Sequence, residues 1–383
     1  MYNLKLLSIC PFIIISHIVT ISVIIFAENR NSVVEKIVNS LSPKRIIWPI
    51  LIGLIVSGWL LYRNFDPKTF SFITFTWHTF LFLVIAILMM FLRDIAYIYR
   101  IIVLTDYQIN WKQAFNIIML WEFSSAISPS VVGGTAPAIF FLYKEGVSSG
   151  KSTAVILTAI FLDELFFIFS VPFVYLLFGN NIFPPDSANI EEIRWMFMAG
   201  YAGLFVYTLF LAYALFINPY LFKSVISWVF LFPLLKKWRM RARRSANQLI
   251  YTSKKIKGKP FSYWFKSMTA TVFSWGGRYW VVNFMLMAFF SGAYSFADHL
   301  LIYGRQLTMW IILLVSPTPG GSGIAEFIFS NFLGDFIPDA SWYAPLAILW
   351  RLISYYPYLF IGALILPVWL KKVFKNETTH KKI

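Results

Sequence analysis

Ser316-Pro317-Thr318-Pro319-Gly320-Gly321-Ser322-Gly323-Ile324-Ala325-Glu326 lies between two strongly apolar segments, and its prolines and glycines decide how the chain is read. Residues 297–315 read as a hydrophobic helix. Pro317 and Pro319 cannot donate the backbone bonds that its continuation would need. Gly320, Gly321 and Gly323 then permit turns that other residues resist, and residues 324–336 resume an apolar helical run. A helix interrupted in lipid leaves N–H groups without partners, which is tolerated only where protein or a polar cavity surrounds them. The stretch is therefore either a buried polar centre or a turn outside the bilayer joining two ordinary helices.

Composition selects the class. Of 383 residues 59% are hydrophobic and 13% charged, the balance of an all-α polytopic membrane protein. The longest polar stretch, residues 236–260, is too short to bury a core of its own, so residues 1–383 read as a single integral membrane domain. The 33 Lys and Arg outnumber the 17 Asp and Glu, but their distribution argues against a nucleic-acid partner. Ten of them fall in residues 236–259 with no acidic residue among them, and five lysines from Lys371 to Lys382 fill the tail. Both stretches flank apolar helices, so the bias of basic residues toward inner loops predicts a basic cytoplasmic loop at 236–260 and a cytoplasmic C-terminal tail at 371–383. Cys10 is the sole cysteine, which excludes an intrachain disulfide framework, and the four scattered His suggest no metal site. No Ser-His-Asp set, phosphate-cradling P-loop or nucleic-acid module stands out, so neither enzyme activity nor a cofactor is expected.

Residues 6–26 lack a basic leader and a small-residue cleavage site and read as a retained helix, joined to the rest by a mixed-charge connection up to residue 45. Residues 46–62 and 70–92 read as crossings, after which Arg93, Arg100 and Lys112 return the chain to the basic side. Residues 111–127 then meet a second interruption, Ser128-Pro129-Ser130-Val131-Val132-Gly133-Gly134-Thr135-Ala136-Pro137. Thr135 is the expected N-cap of a new helix with Pro137 in its first turn. That helix is short, ending near Tyr143, which predicts a re-entrant hairpin. Residues 152–178, 195–217, 267–290 and 342–370 read as further crossings, with residues 297–336 as a second hairpin opening on the opposite side. The expectation is about seven crossings and two opposed re-entrant broken-helix hairpins. The Ser-Pro and Gly-Gly shared by the two breaks, at Ser128 and Ser316, suggest an inverted repeat.

Half-helices starting near Thr135 and Ser322 would turn amide groups and positive dipole ends toward an anion, which makes Gly133, Gly134, Thr135, Gly320, Gly321 and Ser322 candidate binding residues. Arg351 would add planar contacts to phosphate oxygens, and Arg278 and Arg305 are similarly placed within apolar segments. An intramembrane arginine costs roughly 2.5–3.5 kcal/mol on insertion scales, so each needs a partner. Glu326 is the nearest in the motif, and Glu122, Asp163 and Glu164 are others. These groups either lock helices together as ion pairs or exchange partners with a ligand. In the second case a proton on Glu326 would couple the exchange to the membrane gradient.

At these residues the chain resembles the lysylphosphatidylglycerol synthase transmembrane family, flippase-like proteins of bacterial and archaeal membranes, over roughly residues 46–370. The most specific likeness is the stretch from Pro317 to Glu326 followed by Arg351 in the last long helix. Pro129 with Gly133-Gly134, then Leu142-Tyr143-Lys144-Glu145-Gly146-Val147-Ser148, resembles the family's other hairpin and the turn after it, and Arg93 also fits. The helix at 6–26 lies outside the likeness, and the soluble aminoacyl-transferring domain of the bifunctional synthases is not expected here. The resemblance implies a lipid translocase of a bacterial or archaeal plasma membrane, with anionic membrane lipids as partners. It would move an anionic phospholipid or a polyprenyl-phosphate-linked lipid between leaflets. A secondary transporter of a small anionic solute would suit the same helix termini, and a non-transporting partner of an envelope-synthesis enzyme remains a third reading.

Overall fold

The computed structural model describes residues 76–128, 134–184, 190–221, 224, 239–290, 294–314 and 324–380. The expected helices at 6–26 and 46–62, the start of the run at 70–92, and Gly133, Gly320, Gly321 and Ser322 lie outside the described residues. Among the described residues the chain is helical, with no strand.

Helix α1 (Trp77–Leu104) opens on Thr76, whose hydroxyl accepts a bond from the Thr79 amide. It does not end at residue 92 as the charge pattern predicts. Arg93 and Arg100 lie inside it, 3% and 0% exposed, because carboxylates on other helices neutralise both. The helix stops at Thr105, whose hydroxyl donates to the Ile101 and Ile102 carbonyls. Asp106 and Tyr107 then turn the chain in the left-handed region, both at φ 58°. Helix α2 (Trp111–Ile127) begins on a reciprocal cap between Asn110 and Gln113. It is followed by α3 (Thr135–Lys144), α4 (Ser149–Phe178) and α5 (Ile190–Ala212), the last ending in a wider turn over Tyr213–Ile217.

The basic stretch is not a loop. It forms α6 (Arg239–Lys257), because Ala246, Leu249, Ile250, Ser253 and Ile256 recur at helical spacing and bury one face, which packs on α4. Next come α7 (Phe261–Phe289) and α8 (Phe296–Leu313), the latter opened by a Ser295–Asp298 cap, then α9 (Ile324–Leu333). The expected final crossing is two helices, α10 (Tyr343–Ser354) and α11 (Tyr356–His380). Pro357 removes the amide that would bond the Ile353 carbonyl and crowds the turn before it, so the backbone leaves helical geometry at Tyr355 (φ −130°, ψ −55°). Pro172, by contrast, stays inside α4. The carbonyl it orphans, that of Ile168, accepts from the Tyr201 hydroxyl of α5 at 3.1 Å.

Among the described residues, four stretches are long and apolar enough to cross a membrane: Trp77–Leu104, Ser149–Ile182, Ile190–Ile217 and Ala340–Val373. α7 lies along α1 in the most extensive helix contact among the described residues, and α11 lies along α2. The second approach requires Gly362, since a Cβ there would fall 2.3 Å from that of Phe123. α2 packs on α3 and α8 on α9, so each break separates two helices that touch.

Buried charge pairs tie these layers together. Arg100 of α1 donates to both carboxylate oxygens of Asp163 on α4 at 2.5 and 3.1 Å and to the Thr271 hydroxyl of α7 at 2.9 Å. The Trp275 indole adds a bond to Asp163 at 2.7 Å. Arg93 binds Asp94 at 2.8 Å and Glu122 of α2, and the Tyr358 hydroxyl of α11 donates to Asp94 at 2.8 Å. At the end of α1, Asp106 takes the ammonium groups of Lys151 and Lys259.

Arg100→Met is expected to destabilise the protein by about 3–5 kcal/mol, because it strands a buried carboxylate, and Arg100→Met with Asp163→Leu should recover most of that loss. Thermal unfolding of the purified protein in detergent reads both. Burial works against the charge on Asp106, but Lys259 and Lys151 outweigh it and hold the carboxyl below its usual range. A group depressed in the folded state stabilises above its unfolded value, about 3.9 for Asp, and the contribution fades as pH falls through the lower folded value. Unfolding followed from pH 7 downward should therefore show a shallower loss of stability below about pH 4 in Asp106→Asn than in the parent.

Candidate functional site

The last carbonyls of an α-helix have no partner inside it. At the end of α2 one of them, that of Ala126, accepts from the Tyr355 hydroxyl at 3.0 Å. The chain comes back at Gly134 in right-handed geometry (φ −74°, ψ −13°), pressed on the last turns of α2. A Cβ on Gly134 would fall 1.9 Å from the Ser125 Oγ and 3.0 Å from its backbone nitrogen, so only glycine fits. Thr135 is buried and is the first residue of α3, not its cap as expected, because Gly134 already occupies the cap position.

Beyond the second break, Glu326 sits in the first turn of α9 and Arg351 in the last turn of α10. Each is placed where the helix dipole favours its sign. The Arg351 Nε stands 3.1 Å from the Glu326 Oε1, and its guanidinium carbon lies 4.5 Å from the centre of the Tyr355 ring and 5.4 Å from that of Trp350. Arg351 is 5% exposed, so it is paired within the protein and does not reach out to an interface. A continuous series, Ala126 carbonyl, Tyr355, Arg351, Glu326, thus joins the chain just before one interruption to the chain just after the other.

The remaining candidates are placed differently. Arg278, half-buried on α7, has its Nη1 3.9 Å from Glu122 and lies over the Trp275 ring, within the Arg93 network. Arg305 donates to the Asn181 and Phe332 carbonyls at 2.9 and 2.8 Å and pairs with Asp335, so it caps the ends of α9 and of the turn at Gly179–Ile182. Asp163 is held by Arg100, and Glu164 projects beside it with its Oε2 buried. Sequence reasoning missed Tyr355, Tyr358, Asp94 and the burial of Arg100. Two signals were available: Arg93, Tyr97 and Arg100 share one helical face by spacing, and Pro357 marks a break beside Arg351.

A sequence model of the family described as lysylphosphatidylglycerol synthase TM region matches residues 46–362. A UPF0104 membrane protein of Archaeoglobus fulgidus is 26% identical over 283 residues, covering 71% of this chain and 81% of that protein. No solved structure matches.

Tyr355→Phe removes the bond to the Ala126 carbonyl but keeps the ring under Arg351. Its expected cost is about 0.5–1.5 kcal/mol in thermal unfolding, the range for one hydrogen bond.

Proposed function

The chain belongs to the lysylphosphatidylglycerol synthase TM region family, and on that premise we propose that it moves an anionic lipid, a phospholipid or a polyprenyl-phosphate-linked species, between membrane leaflets. The observation that carries this reading is the series from Ala126 through Tyr355 and Arg351 to Glu326, which brings the flanks of both interruptions to one arginine. In this reading the multi-pass chain makes about seven crossings, with the breaks as two opposed re-entrant hairpins of an inverted repeat and the C-terminus in the cytoplasm.

A phosphate headgroup leaving water must have its hydration replaced, since an unpaired ion in hydrocarbon is prohibitively costly. The amide-rich starts of α3 and α9 would supply part of that replacement, with Gly133, Gly134, Thr135, Gly320, Gly321 and Ser322 near the headgroup. Arg351 supplies the rest by exchanging the Glu326 carboxylate for a phosphate, which presents oxygens to the same planar edge. Arg278 and Arg305 have the supporting role of fixing the helices around it. The reading assigns no chemical reaction to the chain.

An apolar groove of about 290 Å³ has the chemistry to take a lipid tail. It runs between α4, α7 and α8, and Phe169, Phe173, Leu177 and Val272 along it are exposed. An acyl or isoprenoid tail would find its ordinary surroundings there, whereas a soluble anion would not.

Leaflet-resolved quenching of labelled anionic lipids in vesicles containing the purified protein tests the proposal. Arg351→Ala should slow translocation by at least about tenfold, equivalent to ~1.4 kcal/mol, and Arg351→Lys should fall between it and the parent. A parent rate no higher than that of protein-free vesicles across the lipid panel would sink the reading. Unchanged movement in Glu326→Gln would remove the exchange step alone.

A further inference from the structure

Midway along α4, a stretch long and apolar enough to span the membrane, two carboxylates are adjacent in sequence but unequal in surroundings. Asp163 takes both guanidinium arms of Arg100 and the indole N–H of Trp275. Glu164 has no such partner among the described residues: its Oε2 is buried and accepts no hydrogen bond. The ionisable groups that share its surroundings are Asp163 itself and Tyr207 of α5. α6 meets α4 near its start, at Gly150, and its Lys254 and Lys255 lie over the Tyr220 and Tyr251 rings. On the other helices packed on α4, the following charged and titratable side chains are engaged elsewhere. Tyr97 and Arg100 of α1 bear on Asp163, Arg278 of α7 lies against Glu122, and Tyr279 meets Phe167 edge-on and stacks on Trp275. Arg305 of α8 is committed to Asp335, Tyr303 of α8 packs edge-on to Tyr279, and Lys144 of α3 lies over the Phe140 ring.

Among the described residues no cation answers a second negative charge beside Asp163, and an isolated ion in an apolar bundle gives way to its neutral form. We propose that Glu164 carries a proton in this conformation and that exchange of this proton is where a pH gradient acts on the bundle. The second clause rests on the translocation reading, and the first does not. Ionisation would require a rearrangement that brings water or a cation to Glu164, so proton release and a change in the packing of α4 on α5 belong to one event.

Infrared difference spectra of wild type against Glu164→Gln at neutral pH decide the first clause. Loss of a protonated-carboxyl carbonyl band is expected, and loss of carboxylate bands instead would overturn the proposal. For the second clause, labelled-lipid movement is followed in vesicles with and without an imposed pH difference of one unit. The wild-type rate should respond by up to about tenfold, the change in proton activity, and Glu164→Gln should not respond. Equal responses in the two proteins would overturn the coupling and leave the proton structural. If no lipid moves at all, the translocation reading is what fails, while the spectra still decide whether Glu164 holds a proton.

Discussion

A guanidinium that enters an apolar bundle cannot be left alone, and that constraint arranges most of this molecule. Arg93 and Arg100 sit on one face of α1, and each must meet a carboxylate carried by another helix or by its own next residue. With Arg278 they make three positive charges against Asp94, Glu122 and Asp163. Removing such ions from water costs several kcal/mol apiece, which good geometry and extra hydrogen bonds must offset. Thr271, Trp275 and Tyr358 provide those bonds, so α4, α7 and α11 are held in register with α1 by the need to satisfy its charges.

The Arg351–Glu326 contact uses the same chemistry in another setting. Its ions stand at helix ends, and the faces of Trp350 and Tyr355 flank the guanidinium and attract it. The Arg100 network is held by directional bonds from its two terminal nitrogens to α4 and α7. In the proposed reading Arg351–Glu326 is the pair that exchanges its carboxylate for another oxyanion. The two kinds of pair use the same residue types and differ in what surrounds them.

Much of this was legible in the residues. The all-helical membrane class followed from composition, and the helix ends at Ile127, Leu313 and Ile324 lie beside the prolines and glycines that predicted them. Glu326 is the nearest of the four acidic residues that the sequence offers as partners for the arginines, and it is the one that meets Arg351. What escaped was governed by partners distant in sequence. Arg93 and Arg100 looked like boundary charges because nothing local indicates that Glu122 and Asp163 reach them. The basic stretch at 236–260 looked like a loop because its charge hides a buried face of Ala246, Leu249 and Ile256. Arg305 looked like an anion site, but the carbonyls it caps belong to segments more than twenty residues away in either direction.

One small feature bears on how such a bundle can rearrange. Pro172 leaves the Ile168 carbonyl without an amide, and Tyr201 on the neighbouring helix supplies the missing hydrogen. Sliding α5 along α4 would strand that oxygen in an apolar setting. Axial travel of one helix along the other would thus cost about 1–3 kcal/mol, whereas a pivot about the Tyr201 hydroxyl keeps the bond, as a door turns on its pin.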